Sequence, residues 1–442
     1  MAFVSDDLLK RLLALTNDTP AARWLVAYSG GIDSTVLLHA LAKGNHNIPI
    51  LAIHIDHGLD PSSEAWAVHC KNFGSNLDIE VEVHKVSIPD NPEDGLEAAA
   101  RRARYNALST YVQDGDCVLS AHQENDQAET ILMNLMRRSG LAGLAGIGAR
   151  QTFGRGMLLR PLLGVRRDEL EAYAAKHRLT WIEDPSNANN RFDRNFVRAK
   201  VLPILEGRWP AAAGSIRQSA EYAGEANELL KDLADIDIQT CGSEQKLWVG
   251  EMAKLSSSRQ RNLLRHVIRL RGLPSLPAKQ LFQVVNEVIN ARNDKQPAVK
   301  WAGGIIRRYR GYIYILETEI DEVPPPETML QLGGPPIMLG AGRGTIVLSN
   351  SDELGLDPKI IRDGLFVSYR KGGEKIRVEA GGRRRELKKL FQEEGVFPWM
   401  RSIVPLLYTG DTLVAVGDLW VSSDYAVKGG VRIMWQDRPK LI

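Results

Sequence analysis

The sequence predicts an α/β fold: an N-terminal parallel-sheet domain, then a mainly helical middle domain and a small α+β C-terminal domain. Over the first third, short apolar runs alternate with helical patterns, as in βαβ units whose sheet is covered on both faces. From about residue 215 the pattern turns to long amphipathic helices. Beyond Gly333-Gly334-Pro335-Pro336 it changes again, to short strands separated by glycine turns. A chain of 442 residues is too long for one ordinary core. The expected divisions are 1–214, 215–320, a linker at 321–336 that includes Pro324-Pro325-Pro326, and 337–442.

Trp24–Tyr28 reads as a buried strand, followed by a glycine turn and a helix over Thr35–Ala42. Strands near Ile50–Ile55 and Ile79–Val86 come next, then a long helix over Glu93–Val112. The strand Cys117–Ala121 leads into the helix Asp126–Arg138, and the strand Met157–Leu159 into the helix Arg167–Arg178. In the middle region Ala220–Ala234 and Arg259–Arg271 are amphipathic, and Ile305–Leu316 reads as a hairpin around Gly311.

Composition excludes several classes. The hydrophobic fraction of 44% and charged fraction of 25% are those of a globular chain. The 56 basic and 54 acidic residues nearly cancel, so any polyanion site must come from local clustering. Cys70, Cys117 and Cys241 form no CxxC pair, which argues against a disulfide framework, an iron–sulfur cluster or a cysteine-rich zinc site. No signal core and no run of membrane-spanning length is visible, so a cytoplasmic protein is expected, with no membrane partner.

The strongest chemical signal is Ser29-Gly30-Gly31-Ile32-Asp33-Ser34, set between a buried strand and a helix. Two glycines allow a tight turn and close backbone approach, while N–H groups at the helix start favour an anion. A plain strand–helix turn would explain the glycines but not two serines and an aspartate converging there. The segment lacks the Gly-Lys-Ser/Thr ending of a Walker loop and the GxGxxG dinucleotide fingerprint. It resembles the PP-loop of N-type ATP pyrophosphatases, whose SGGxDS motif holds the pyrophosphate end of ATP. The resemblance implies ATP bound by Ser29 through Ser34, cleavage between the α and β phosphates, and magnesium held by Asp33 together with ATP. His57 and Gly58, at the end of the next strand, are expected beside the nucleotide.

A second junction carries His122-Gln123-Glu124-Asn125-Asp126-Gln127-Ala128-Glu129-Thr130. For Asp126 alone, helix capping would be the better explanation. With the loop, the segment resembles the HHxDDQxET signature of tRNA(Ile)-lysidine synthases. Further segments match that family in order: Glu97-Ala98 with Arg101 and Arg104-Tyr105, Arg160-Pro161-Leu162-Leu163, Trp181 to Asn187, Asp193 to Arg198, and Gly395 to Arg401 after Leu387-Lys388-Lys389. Gln123 and Asn125 depart from the signature, so no catalytic role is carried onto them.

The resemblance implies a two-step ligation on an isoleucine tRNA with a CAU anticodon. ATP adenylates O2 of the wobble cytidine with release of pyrophosphate, and free L-lysine then displaces AMP at carbon 2. Asp33, His122 and Asp126 are the implied catalytic residues, with His122 or Asp126 open as the group that deprotonates the lysine amine. Glu129, Arg101 and Arg104 are candidates for lysine. A homodimer is one candidate for the oligomeric state.

The candidates for tRNA contact are Arg194, Arg198, Arg383, Arg384, Arg385, Lys388, Lys389 and Arg401. Between Arg370 and Arg401 ten Lys/Arg face five Asp/Glu, a local excess of five. Arg383-Arg384-Arg385 is expected at the N-terminal end of a helix Glu386–Glu393, where three cations oppose the dipole and phosphate would compensate. Arg261, Arg265 and Arg269 recur at i, i+4 opposite Leu263, Leu264, Val267 and Ile268, as an RNA-facing stripe or the wet side of an amphipathic helix. Two rival readings are a PP-loop tRNA thiolase, disfavoured by the cysteine spacing, and a non-catalytic RNA-binding protein.

Overall fold

The computed structural model describes residues 3–17, 21–89, 95–185, 193–292, 297–317, 327–340, 342–362 and 364–441. Pro324–Pro326, Glu93, the Glu97 side chain, and Ser186 and Asn187 of the Trp181 segment fall outside the described residues. The chain divides into two compact units, Met1–Leu230 and Lys231–Ile442.

The first unit is built on β1 (Arg23–Ala27), whose side chains alternate between two cores. Trp24 and Val26 join α1 (Ser5–Leu15) and α2 (Ile32–Lys43) on one face. Leu25 enters the other face. β2 (Ile50–Asp56), α3 (Ser63–Ser75) and β3 (Glu80–Lys85) follow, then α4 (Leu96–Ser109), β4 (Asp116–Leu119), α5 (Glu124–Met136) and the short α6 (Leu141–Leu144). β5 (Arg150–Phe153), β6 (Gly156–Leu159) and α7 (Arg167–Lys176) complete the sheet.

Its strand order is β3-β2-β1-β4-β6-β5, parallel except for β5. The antiparallel β5 was not visible in the sequence because Arg150, Gln151 and Thr152 are exposed and form no apolar run. α2 is buried from Ser34 to Leu41, packed between the sheet and its neighbours α1 and α7. Truncating Leu38, which is 0% exposed, to alanine would cost about 2–5 kcal/mol by the usual cavity penalty.

The order also positions the site. β1 has β2 on one side and β4 on the other, so chain direction around the sheet reverses at β1. The carboxyl ends of these three adjacent strands open into the crevice where such sheets bind ligands.

After α7, α8 (Asp193–Phe196) runs through a wider π-helical segment, Val197–Val201, into α9 (Leu202–Arg208). Pro203 near the start of α9 has no N–H for the carbonyl four residues back, consistent with the helix widening just before it. α10 (Ala212–Cys241) then runs unbroken across 214/215, so the change of pattern there falls inside a helix rather than at a break in structure.

In the second unit β7 (Lys246–Trp248), α11 (Val249–Met252), α12 (Ser257–Leu270) and α13 (Ala278–Gln283) precede β8 (Ala298–Trp301), β9 (Gly304–Tyr309) and β10 (Tyr312–Leu316). The strands form an antiparallel sheet in the order β7-β10-β9-β8, of which the sequence revealed the central hairpin. Two five-stranded antiparallel sheets, a two-stranded one (Lys375–Ile376 with Arg385–Glu386) and the helices Pro358–Arg362 and Leu387–Glu394 follow. Thr328–Leu330, inside the expected linker, pairs with Leu365–Ser368 as an edge strand of one of these sheets. Three residues are too few for an alternating pattern to show against the neighbouring glycines and prolines.

Candidate active site

The loop after β1 is wired inward by its own hydroxyls. Gly30 O accepts from Thr35 Oγ1 at 3.2 Å and from the Ile182 N–H at 2.9 Å. Gly31 O accepts from Ser34 Oγ at 2.9 Å and from the Thr35 N–H at 3.0 Å. With those carbonyls satisfied toward the protein, the N–H groups of Ile32, Asp33 and Ser34 head α2 without intrahelical acceptors. Ser29 and Ser34 meet at 3.0 Å between their hydroxyls. α2 begins at Ile32 rather than at the expected Thr35, so Asp33 and Ser34 already belong to its first turn.

Gly30 has φ +82°, and a Cβ there would lie 2.4 Å from Ile182 Cδ1 and 2.9 Å from Cys70 Sγ. No side chain fits that position. Ile182 is therefore a latch on the loop, holding it through both its N–H and its side chain. Below, His54 Nδ1 bonds Tyr28 O at 3.0 Å and approaches Cys70 Sγ at 3.4 Å.

Asp33 faces the crevice with Oδ1 buried and accepting no hydrogen bond. Burial, and then the Asp126 carboxylate, push its carboxyl up to about 6, against the pull of Arg167 and Arg198. The donor set suits a hard cation, which needs an oxygen that nothing else occupies. Among the described residues no group of three or more His, Cys, Asp or Glu is placed to hold a metal. A cation at Asp33 would take its other ligands from phosphate and water.

β2 ends in an Asx turn in which Asp56 Oδ1 accepts the Gly58 N–H at 2.8 Å. His57 in that turn has Nδ1 buried, and burial followed by Arg104 holds its imidazolium below the ordinary range.

At the end of β4, Ser120 Oγ bonds His122 Nδ1 at 2.6 Å. Burial pushes the His122 imidazolium down to about 4, with Arg160, Arg194 and Arg101 acting the same way and Asp126 opposing. Gln123 caps α5: its Oε1 accepts the Asn125 N–H at 2.6 Å, while Asp126 Oδ2 reaches back to the Gln123 N–H at 3.0 Å. This capping box moves the helix start to Glu124, two residues before the expectation. It also gives Gln123, which stands where the family signature has a second histidine, a structural task.

One turn along α5, Asp126 and Glu129 meet two arginines from the helical segment 193–201. Arg194 donates Nε to Glu129 Oε2 at 2.7 Å and Nη2 to Asp126 Oδ1 at 2.8 Å. Arg198 donates Nε to Glu129 Oε1 at 2.6 Å and Nη2 to Asp126 Oδ1 at 3.1 Å. Glu129 is 0% exposed. Burial alone would raise the Asp126 carboxyl, but Arg194, His122, the Gln123 N–H and Arg198 hold it below the ordinary range. Two carboxylates and two guanidinium groups thus form one neutral buried cluster.

A PP-loop domain family matches residues 5–205 of the chain. A TilS substrate binding domain matches residues 247–314, and a TilS substrate C-terminal domain residues 365–435. The tRNA(Ile)-lysidine synthase of Alkalilimnicola ehrlichii is 40% identical over 438 residues, which cover 98% of this chain and 97% of that one. That of Methylococcus capsulatus is 39% identical over 416 residues, covering 92% and 94%. That of Coxiella burnetii is 36% identical over 429 residues, covering 97% and 95%. The chain belongs to the tRNA(Ile)-lysidine synthase family. No helix among its described residues is long and apolar enough to cross a membrane.

Of the residues singled out by sequence, Ser29 to Ser34, His57, Gly58, His122, Asp126 and Glu129 lie at the ends of β1, β2 and β4. Arg101 and Arg104 on α4 are exposed, and their charges reach His122 and His57 respectively, each lowering that imidazolium. Arg101 also stacks on the Tyr105 ring at 4.9 Å. Arg194 and Arg198, expected to contact tRNA, instead hold the Asp126–Glu129 cluster. Sequence spacing could not pair them because 65 positions separate Arg194 from Glu129.

The basic C-terminal cluster differs from its expectation. Arg401 is 8% exposed, donating to Val396 O at 3.0 Å and Tyr309 Oη at 3.5 Å, so it packs the core and is absent from the exposed basic surface. Arg385 lies in a short strand, Arg385–Glu386, and pairs with Glu393, while Arg384 Nη2 reaches Asp424 at 3.5 Å. The charge conflict expected at the helix start is thus met within the protein. Arg383, Lys388 and Lys389 are exposed. On α12, Arg261 stacks over Phe282 at 4.8 Å and Arg269 bonds His266 at 2.7 Å, leaving an exposed Arg265 between two engaged arginines.

Proposed function

We propose that this chain ligates free L-lysine to carbon 2 of the wobble cytidine of an isoleucine tRNA with a CAU anticodon. ATP is consumed through an adenylated cytidine, and lysidine, AMP and pyrophosphate are the products. The observation that carries the reading is the convergence of the PP-loop, His122 and the Asp126–Glu129 cluster on adjacent strand ends, in a chain whose full length matches this family.

In the first step cytidine O2 attacks the α-phosphorus and pyrophosphate leaves. The N–H groups heading α2 and the Ser29 and Ser34 hydroxyls cradle the leaving pyrophosphate, an arrangement that needs no reorganisation as charge develops. Asp33 would hold magnesium, which when bound neutralises charge on the phosphate oxygens. Arg101 and Arg104 supply further positive charge at the crevice wall.

In the second step the lysine side-chain amine attacks carbon 2, loses a proton, and the carbon–oxygen bond to AMP breaks. Both Asp126 oxygens are engaged in hydrogen bonds, which makes it a poor proton acceptor. His122 is neutral near pH 7 and so has a lone pair available. Asp126 and Glu129 attract the lysine ammonium, and for direct contact with Glu129 a guanidinium must give way.

A sulfur-transfer reading is less supported. Cys70, beneath the loop, is buried, and burial pushes its thiol up to about 12, while Cys117 is shifted in the same direction. Neither has the thiolate character that sulfur transfer requires. A catalytically silent RNA-binding protein would have no need for an orphaned Asp33 oxygen. Product analysis tests the reading: tRNA-dependent turnover should yield one AMP and one pyrophosphate per modified tRNA. ADP and phosphate as products would contradict it.

A further inference from the structure

The second unit contains a cavity of about 690 Å³ remote in sequence from the PP-loop. It forms where the outer face of the β7-β10-β9-β8 sheet meets the segment Phe397–Trp399. Alternation along β10 sends Ile313 and Ile315 into the core and leaves Tyr314 on the opposite face. Strand register sets Lys246 and Arg307 directly opposite Tyr314 on either side. Phe397 and Trp399 stack at 4.9 Å with planes 9° apart, and the Arg307 guanidinium lies over Trp399 at 5.4 Å. Tyr314 stands edge-on to both rings.

Packing of the sheet against Phe397–Trp399 explains these contacts, while the exposed Lys246, Glu317 and Lys440 leave the space beside them open to solvent and to a ligand. This volume lies in the range of small-molecule sites, about 300–1,000 Å³. The lining is aromatic and positive: Lys246, Arg271, Arg307 and Lys440 face one carboxylate, Glu317. Stacked rings, a guanidinium plane and ammonium groups together suit a planar base carrying a phosphate.

We propose that this cavity binds an unstacked nucleotide of an RNA single strand, its base layered onto the Phe397–Trp399–Arg307 stack and its phosphate beside Lys246 and Lys440. The proposal rests on the reading that the chain acts on tRNA, which carries unpaired nucleotides as well as helices. A free mononucleotide has the same chemistry but lacks the neighbouring phosphates that the spread of cations favours.

A labelled short single-stranded RNA, titrated onto the full chain at several salt concentrations, tests it. Trp399→Ala should weaken binding by about tenfold or more, and Trp399→Phe should restore most of it. The exposed pair Lys246→Ala and Lys440→Ala, which carries little risk to folding, should lower the log–log salt slope by roughly one unit. Affinity for intact tRNA should fall in both cases, with ATP binding unchanged. Equal RNA affinity and salt slope in all variants would overturn the proposal, as would AMP binding as tightly as the oligonucleotide. Lysine transfer by the wild-type chain is measured alongside. Its failure would count against the ligase reading, whereas its success with unaltered oligonucleotide binding would discard only the cavity.

Discussion

Arg194 and Arg198 are held by carboxylates that meet little or no solvent, whereas Arg384 and Arg385 pair with Asp424 and Glu393 at the surface of the other unit. Both pairs of arginines were expected to touch RNA. The difference lies in what surrounds them. At the crevice, water has been replaced by fixed charges, so each group depends on its partner, and the Asp126 carboxyl is held low while the Arg194 and Arg198 guanidinium groups are held high. In the C-terminal region water screens the pairs, and a bound phosphate can exchange with a carboxylate at small cost. A cationic cluster in a sequence can thus be an internal part of an active site or a replaceable surface contact, and burial decides between them.

The largest effect that would sharpen this contrast is Asp33→Asn. It keeps the shape but removes the charge assigned to magnesium, and adenylate formation should fall by about 10²–10³-fold, the scale of losing one preorganised electrostatic group. Affinity for tRNA should be nearly intact. Unchanged pyrophosphate release would make Asp33 a structural residue.

Arg198→Ala is the next largest. It leaves Glu129 buried with half its partners, and removing one member of a buried ion pair costs about 3–5 kcal/mol. The double variant with Glu129→Gln should recover part of that loss. Additive losses in denaturant melts would show that the cluster does not act as a unit.

The pH dependence follows from the displaced groups. Asp33 binds magnesium only when ionised, so kcat/KM for ATP should rise with pH through an inflection near 6, absent in Asp33→Asn. The linked stabilities have opposite signs. The raised Asp33 carboxyl stabilises the fold below about 4, and that contribution is lost as pH rises through about 6. The lowered His122 imidazolium makes its contribution above about 6.5, and this is lost as pH falls through about 4. An acid-side loss of stability should therefore be shallow between these values and steepen in His122-intact Asp33→Asn.

The smallest structural effect belongs to Arg383, Arg384 and Arg385 together. Their replacement by alanine should weaken tRNA binding and lower the log–log salt slope by about two units. Because Arg384 and Arg385 have surface partners, thermal stability should fall by less than about 1 kcal/mol per pair rather than rise. A variant more stable than the wild type would restore the uncompensated-dipole account.

The parallel sheet was legible because Trp24–Tyr28, Ile50–Ile55 and Cys117–Ala121 are short apolar runs bounded by turns, and the loop because glycines and hydroxyls sit together between strand and helix. The edge strand β5 was not, since it buries too little to need apolar residues. Nor was the latch by Ile182, which requires knowing that a segment 152 positions after Gly30 returns to it. The clusters of Arg194 and Arg198 with Asp126 and Glu129 were hidden for the same reason. Local chemistry shows in local sequence, while pairing across the sheet depends on topology.

Mass analysis of an isoleucine tRNA after incubation with the chain, ATP, magnesium and isotopically labelled lysine tests the central claim most directly. The predicted result is a single lysine added at the wobble cytidine, dependent on ATP, abolished in Asp33→Asn and retained when the three C-terminal arginines are replaced and tRNA is saturating. A tRNA of unchanged mass, or one gaining sulfur instead of lysine, would contradict the account.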